Sequence, residues 1–310
     1  MTTPISPPST PFPGIDDARY LVSGRDGIWI VEPEGNHRQV SELPASVAFG
    51  DFADGVVVQV SDVAPGGPPD GYGTRIGRLQ PGSGVEWILQ EPGYWLFLHD
   101  VALIDGTPWL VVGRQLDTEV GNEGSGLQDL FLYDLETGHR RPLTTVEVGE
   151  GVADVDYAFG LFVVTVDAEG FSWFEFYDLE GERVVVPANP APSDRRDPST
   201  VGFGRWAGSP EDPVLVFLAA DGFAPPFEVM LGIGLTDGEV RFRLPLPAPG
   251  SDDAFETFVD ADGDVLVVSR ERPLGEAPWW EPDFPVVVDL PDGARVERLP
   301  VPGIATAVGR

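Results

Sequence analysis

Hydrophobic and polar residues alternate in short runs along most of the chain, and turns that contain glycine separate the runs. The clearest example is "LFLYDLETGHRRPL" at 130–143, where one alternating run leads through Gly138 into another. A similar sequence, "WFEFYDLEGERVVV", follows at 173–186 around Gly181. Alternation with a period of two is typical of β-strands, and a glycine between two such runs is typical of a hairpin turn. The pattern therefore predicts β-hairpins that repeat along the chain.

Six copies of this hairpin can be aligned. The other four cover residues 27–40, 74–89, 228–244 and 285–299, with turn glycines Gly35, Gly82, Gly238 and Gly293. Five copies are preceded by another hairpin, whose second strand is rich in Val, Leu and Phe; these lie at 47–60, 96–113, 152–166, 201–219 and 255–269. Such apolar runs are typical of strands buried on both faces. We therefore expect an all-β chain built from a repeated four-stranded unit.

Four antiparallel strands per unit, repeated six times, predict a six-bladed β-propeller. The first unit, within residues 19–40, holds only three strands and lacks the innermost one, whereas residues 303–308 form a strand without a unit of its own. We expect this C-terminal strand to pair into the N-terminal blade, which closes the ring and removes exposed sheet edges. The predicted organisation is a flexible Pro/Ser/Thr-rich tail over 1–14 and a single propeller domain over 15–310.

This repeat architecture resembles the six-bladed β-propeller superfamily, which includes TolB-like, NHL-like and gluconolactonase-like proteins. The resemblance covers residues 15–310 and rests on the repeat, because the Ser-Pro-Asp-Gly hairpin of TolB-like blades and the Trp-Asp dipeptide of WD40 blades are absent. It implies the fold and identifies no family within the superfamily.

The charge of the chain limits its partners. There are 51 acidic residues against 19 basic ones, all of them arginine, and the net charge is −32. A charge of this size repels phosphate groups, so we expect no nucleic-acid partner. No apolar run reaches the roughly 18 residues that span a bilayer, so we expect no membrane insertion. The first residues lack the features of a signal peptide, so the localisation is cytoplasmic by default, with an exported mature form as the alternative. We expect a monomer.

The connections between strands differ in length between the two ends of the blades. Those after the first and third strands are tight turns, whereas those after the second and fourth strands include nearly all the long segments: 62–73, 115–128, 189–200, 247–253 and 271–283. We call the end with the long segments the long-loop face. Elaborated loops on a rigid scaffold are typical of a binding surface. We therefore expect the long-loop face to bind the ligand.

The segment "EAPWWEPD" is the most distinctive part of the long-loop face. It places Trp279 and Trp280 between Glu276 and Glu281, and tryptophan is enriched at interaction hot spots. Further candidate contacts on this face are Tyr72, Phe223, Arg195 and Arg196. The predicted function is a non-catalytic binding module for a protein, carbohydrate or cationic ligand. In the alternative interpretation the loop folds back and one of the two indoles fills the seam between the last and first blades.

Carboxylates on the innermost strands suggest a second class of function. His99, Asp100, Asp51, Asp154, Asp156 and Glu256 lie on predicted inner strands and would line the channel of a propeller. The resemblance to gluconolactonase-like enzymes implies a divalent metal at the channel mouth, with Glu, Asn and Asp ligands. The alternative function is therefore a calcium-dependent lactonase or hydrolase, although Asn36, Asn122 and Asn189 all lie away from the inner strands.

A short acidic turn is a separate candidate for binding calcium. Asp260, Asp262 and Asp264 alternate like the start of a calcium-binding loop. The glycine of the segment comes one position too early for such a loop, which favours an ordinary hairpin turn. We therefore assign no catalytic residue and expect no cofactor, with calcium as the alternative.

Overall fold

A computed structural model describes fifteen parts of the chain. These are residues 15, 18–51, 55–61, 74–80, 84–92, 94–116, 128–146, 150–168, 171–192, 201–219, 229–245, 256–262, 265–273, 280–290 and 296–308. Strands and turns account for the regular structure of these ranges, and no helix that could span a membrane occurs within them. The structure therefore confirms the prediction of an all-β chain.

The described ranges contain 24 strands. The first eleven are β1 (Tyr20–Gly24), β2 (Gly27–Val31), β3 (His37–Ser41), β4 (Val47–Gly50), β5 (Val56–Ser61), β6 (Thr74–Gln80), β7 (Gly84–Leu89), β8 (Tyr94–Ile104), β9 (Thr107–Leu116), β10 (Gln128–Asp134) and β11 (Arg140–Val146). The others are β12 (Gly151–Ala158), β13 (Leu161–Ala168), β14 (Phe171–Tyr177), β15 (Val201–Ser209), β16 (Asp212–Ala219), β17 (Val229–Gly234), β18 (Val240–Pro245), β19 (Glu256–Asp262), β20 (Val265–Pro273), β21 (Trp280–Pro282), β22 (Val286–Asp289), β23 (Val296–Arg298) and β24 (Ile304–Ala307).

These strands form six antiparallel sheets, each of which is one blade of a six-bladed β-propeller. Blade 1 has the order β24-β1-β2-β3, and blades 2 and 3 have the orders β4-β5-β6-β7 and β8-β9-β10-β11. Blade 4 is β12-β13-β14, blade 5 is β15-β16-β17-β18, and blade 6 is β19-β20-β22-β23 with β21 added beside β20. The pairing of β24 with β1 confirms that the C-terminal strand completes the N-terminal blade. We call β24, β4, β8, β12, β15 and β19 the inner strands.

The chain divides into two compact units, residues 1–148 with 306–310 and residues 149–305. In the first unit, apolar side chains of β2 and β5 form one core cluster with Leu21 of β1. In the second, Phe174 and Phe176 of β14 pack against Trp206 of β15 and Phe217 of β16. The apolar central residues of the second strands β13 and β16 are buried, as the apolar runs predicted, while the ends of these strands are more exposed.

The repeated glycines serve the hairpin turns. Gly35, Gly138, Gly181 and Gly238 have φ angles of 81°, 70°, 82° and 76°, a conformation that favours glycine over residues with a Cβ atom. The sequence prediction is confirmed at these four positions, while Gly82 and Gly293 lie outside the described residues.

The aspartate of each "YDLE" segment stabilises the hairpin turn that follows it. An Asp134 Oδ1 atom accepts hydrogen bonds from the backbone N–H groups of the second and third residues after it, at 2.8 and 3.0 Å. In the second copy, Asp178 Oδ1 accepts bonds from the second and fourth residues after it, at 3.0 and 2.9 Å. The extra residue Thr137 lengthens the first turn by one position. The repeated aspartate is therefore a turn-forming residue in both blades.

Blade 4 completes its outer edge in an irregular way. Arg183 forms an isolated bridge with Tyr177, and the chain then leaves the sheet. Phe174 lies on the outer edge strand, and both of its backbone groups are bonded beyond the sheet. Its carbonyl oxygen accepts a hydrogen bond from Asn189 Nδ2 at 2.9 Å, and its N–H donates to the carbonyl oxygen of Ala191 at 2.8 Å. Pro187 and Pro190 have no N–H group to donate, so a regular strand cannot continue here.

Hydrogen bonds between successive blades hold three inner strands. In each case a polar side chain on the second strand of one blade accepts a bond from an inner-strand N–H of the next. The pairs are Gln59 with Leu98 at 2.6 Å, Thr165 with Gly204 at 3.1 Å, and Ser269 with Ala305 at 2.9 Å. Leu98 and Gly204 lie where bulges shift the register of β8 and β15. A bulge leaves a backbone group without a partner in its own sheet, and the preceding blade supplies one.

Candidate functional site

A cluster of charged side chains is buried on the inner strands of blades 4, 5 and 6. Its centre is Arg205 of β15, of which 1% is exposed. Both terminal nitrogens of the Arg205 guanidinium donate to the Asp154 carboxylate, with 2.9 Å between Nη2 and Oδ1. Asp154 lies on β12 and is 2% exposed. The two residues therefore form a buried, bidentate ion pair between neighbouring blades.

Two more carboxylates complete the cluster. Asp260 of β19 is fully buried, and its Oδ1 lies 3.9 Å from the Nε of Arg205. Asp156 is also buried, and its Oδ2 accepts the backbone N–H of Trp206 at 2.7 Å. Side chains alternate along a strand, so Asp154 and Asp156 project from the same face of β12 toward β15. The cluster thus joins three successive blades through one guanidinium.

Asp154 and Asp156 were predicted from the sequence as channel carboxylates, and Asp260 was a candidate calcium ligand in the alternative interpretation only; Arg205 was not predicted. The structure places all three carboxylates near this arginine. The sequence contained a feature that could have identified Arg205, because it is the only arginine on the inner strands within the described ranges. A lone base inside the apolar strand "VGFGRWAGS" needs a buried acid to compensate it.

Asp51 has a separate role in blade 2. It is buried after β4, and its Oδ1 accepts the backbone N–H of Gly55 at 2.7 Å across the turn to β5. Its Oδ2 lies 3.0 Å from the Nε of Arg78 on β6. A Cβ atom at Gly55 would lie 2.2 Å from that Oδ2, so a larger residue here would displace the Asp51 carboxylate. Asp51 therefore shapes a hairpin and forms an ion pair within its own blade.

His99 and Asp100 lie at the bulge of β8 in blade 3, and both are buried. The His99 Nε2 atom lies against Gly113 of β9, where an added Cβ atom would be 2.7 Å away. The Asp100 Oδ1 atom accepts the backbone N–H of Val101 at 2.8 Å. The bulge therefore places the imidazole over the neighbouring strand, where only a glycine leaves room for it.

Most residues of the predicted long-loop site lie outside the described ranges. These are Tyr72, Arg195, Arg196, Phe223, Glu276 and Trp279, together with Asp264 of the acidic turn. For Glu256, Asp262, Trp280 and Glu281 the structure describes the backbone alone. These predictions therefore stay predictions.

The backbone near Trp280 differs from the loop expected over 271–283. Strand β20 runs on to Pro273, and β21 pairs with this extension in antiparallel register. Trp280 is opposite Pro273, and Glu281 is opposite Arg272. We call this two-stranded extension, formed by 271–273 and 280–282, the blade 6 arm. Part of the predicted loop is therefore a paired strand, which fixes the backbone of Trp280.

No group of three or more His, Asp or Glu side chains in the described part of the chain is placed to hold a metal ion. Asp260 is in contact with Arg205 instead. The side chains of Asp262 and Asp264 are not described, so the proposed calcium turn stays a prediction.

Comparisons with known proteins support the fold and assign no family. No protein-family model matches the chain, and no curated protein matches it either. Among solved structures, TolB from Acinetobacter baumannii is similar with a TM-score of 0.59 at 13% identity, over 94% of this chain and 66% of that one, so the chain spans just under two thirds of its length.

Two carbohydrate-active proteins share the same fold. An oligogalacturonate lyase in complex with manganese has a TM-score of 0.54 at 14% identity, over 94% of this chain and 75% of the other. An α-L-arabinofuranosidase from Fusarium graminearum, in complex with an iminosugar inhibitor, has a TM-score of 0.50 at 11% identity, over 83% and 82% of the two chains. Identities this low show the fold alone. The protein therefore has the fold of a six-bladed β-propeller.

Proposed function

We propose that the protein is a non-catalytic binding module that recognises a carbohydrate or protein ligand through the long-loop face, with Trp279 and Trp280 as its main contacts. The observation that carries this proposal is the blade 6 arm. Strand pairing orders the backbone of Trp280 before any ligand arrives. A preorganised contact loses less conformational entropy on binding than a loop that must first become ordered.

The contacts of the inner-strand carboxylates also support a non-catalytic role. Asp51 binds the N–H of Gly55 and lies beside Arg78, and both oxygens of Asp154 accept bonds from Arg205. A lactonase or hydrolase needs such groups as proton carriers or metal ligands. In this protein they bind neighbouring backbone and guanidinium groups.

The proposal is tested by screening the purified chain against an array of neutral and charged oligosaccharides, and against a peptide array. Binding of the best ligand is then measured by titration calorimetry for the double variant Trp279→Ala, Trp280→Ala. We expect the double variant to lose at least about tenfold in affinity, or 1.4 kcal/mol, with unchanged thermal unfolding.

The matched control is Phe159→Ala. Phe159 is an aromatic residue that is 37% exposed on the tight turn between β12 and β13, away from the long-loop face, and we expect this variant to bind like the unmodified protein. Equal binding by the double variant would contradict the proposal. A sharp fall in its melting temperature would show instead that the indoles are core residues. Stoichiometric calcium in the purified protein, or lactone hydrolysis, would favour the alternative function.

A further inference from the structure

Repetition creates a hazard for the folding of this chain. Each of the six inner strands lies at the edge of an antiparallel sheet, so one blade can dock against the wrong neighbour while the chain folds. Misassembly between similar units is a common failure of repeat proteins. Apolar contacts alone discriminate poorly between such neighbours, because they are not directional.

The buried cluster differs from those contacts because it is specific to three blades. Asp154 and Arg205 occupy the same position of their blades, four residues before the last residue of the inner strand. The same position holds Asp100 in blade 3 and Phe258 in blade 6. Among these four blades, only blade 5 therefore offers a positive charge at the position that Asp154 must meet.

The energetics of buried ion pairs fit a role in discrimination. Desolvation of the charges offsets most of their attraction, so apolar residues of similar volume often give equal or greater stability. A carboxylate buried against a wrong neighbour has no such compensation and is strongly destabilising. The cluster thus adds little to the correct arrangement and strongly disfavours incorrect ones.

We propose that the triad Asp154–Arg205–Asp260 is a pairing key that selects blades 4, 5 and 6 as neighbours during folding. Arg205 meets Asp154 of the preceding blade through two hydrogen bonds and Asp260 of the following blade at 3.9 Å. One guanidinium in the middle blade therefore recognises both neighbours at once. This role is independent of the ligand-binding function proposed above.

The test replaces the triad with apolar residues in the full chain, by Asp154→Leu, Arg205→Met and Asp260→Leu together. Two quantities are measured: the urea midpoint of unfolding, and the yield of native monomer after rapid dilution from urea. We expect the midpoint to equal or exceed that of the unmodified protein, while the refolding yield falls at least threefold.

A matched control removes a similar but exposed triad. Arg241 lies 2.8 Å from Asp212 and 3.0 Å from Asp237, and we expect Arg241→Met, Asp212→Leu, Asp237→Leu to refold in normal yield. An unchanged yield in the buried triple variant overturns the pairing key, and so does a clear fall in its urea midpoint. If the triple variant cannot be purified, the single variant Asp260→Leu is tested instead. The pairing key predicts a lower refolding yield at a similar urea midpoint, and a normal refolding yield refutes it.

Discussion

Replacing Arg205 alone should destabilise the protein far more than replacing an exposed arginine. Arg205→Met keeps the length of the side chain and removes its charge. Asp154 and Asp260, which are 2% and 0% exposed, then remain buried without the guanidinium. Breaking a buried ion pair in this way costs about 3–5 kcal/mol, because one charge is left uncompensated. We expect the free energy of unfolding to fall by this amount.

Urea unfolding followed by tryptophan fluorescence measures the change. Trp206, the neighbour of Arg205 in β15, is buried in the folded protein and will report its exposure. The control is Arg241→Met, which removes a partly exposed arginine whose two carboxylate partners are exposed at the surface. Exposed ion pairs contribute little to stability, so we expect no measurable change for this variant.

The urea midpoints of the two arginine variants show whether the buried carboxylates depend on Arg205. If Arg205→Met unfolds at the same urea concentration as Arg241→Met, the buried carboxylates do not depend on Arg205 and the electrostatic argument fails. Adding Asp154→Leu and Asp260→Leu to Arg205→Met should recover most of the lost stability, because the two carboxylates that contact the guanidinium are then removed with it.

Two further predictions concern single polar groups. Thr165→Val removes the hydroxyl that accepts the buried N–H of Gly204; we expect the free energy of unfolding in urea to fall by about 1–3 kcal/mol, and a change no larger than that of the exposed Thr145→Val would contradict this. Burial raises the pKa of Asp134, but hydrogen bonds from the Thr137 hydroxyl and from two backbone N–H groups outweigh it and hold the pKa below its usual range. The carboxylate therefore stabilises the fold above its unfolded pKa of about 3.9, and this contribution disappears as the pH falls through the folded value. The difference in melting temperature between the unmodified protein and Asp134→Asn should shrink below about pH 4, and a difference that stays constant from neutral to acid pH would refute it.

Features encoded locally could be predicted from the sequence. The hairpin turns follow from alternating runs and from glycines such as Gly138 and Gly181, because a positive φ is a property of one residue and its neighbours. The closing strand β24 could be predicted by counting, since one blade lacked a strand and one strand lacked a blade. The fold could therefore be predicted from the alternation of apolar and polar residues and from the number of strands.

Features that depend on distant residues could not be predicted. Arg205 and Asp154 are separated by 51 positions, and no local pattern links them. Residues 183–186 have the β-branched composition of a strand, but the prolines that follow and the side chain of Asn189 determine a different path. In the same way, β21 can pair with β20 only because β20 continues to Pro273. The composition of residues 271–283 does not reveal this continuation.

The bonds that inner strands receive from preceding blades have a consequence for folding cooperativity. In a repeat array whose units each satisfy their own backbone, units can melt one after another from an open end. Here the N–H of Gly204 in blade 5 has its acceptor on Thr165 in blade 4, and that of Leu98 in blade 3 has its acceptor on Gln59 in blade 2. When one blade unfolds, a buried N–H group in the next blade loses its acceptor. Unfolding of one blade therefore destabilises its neighbour. The amide hydrogens of Leu98 and Gly204 should therefore exchange with solvent only when both blades of the pair open together.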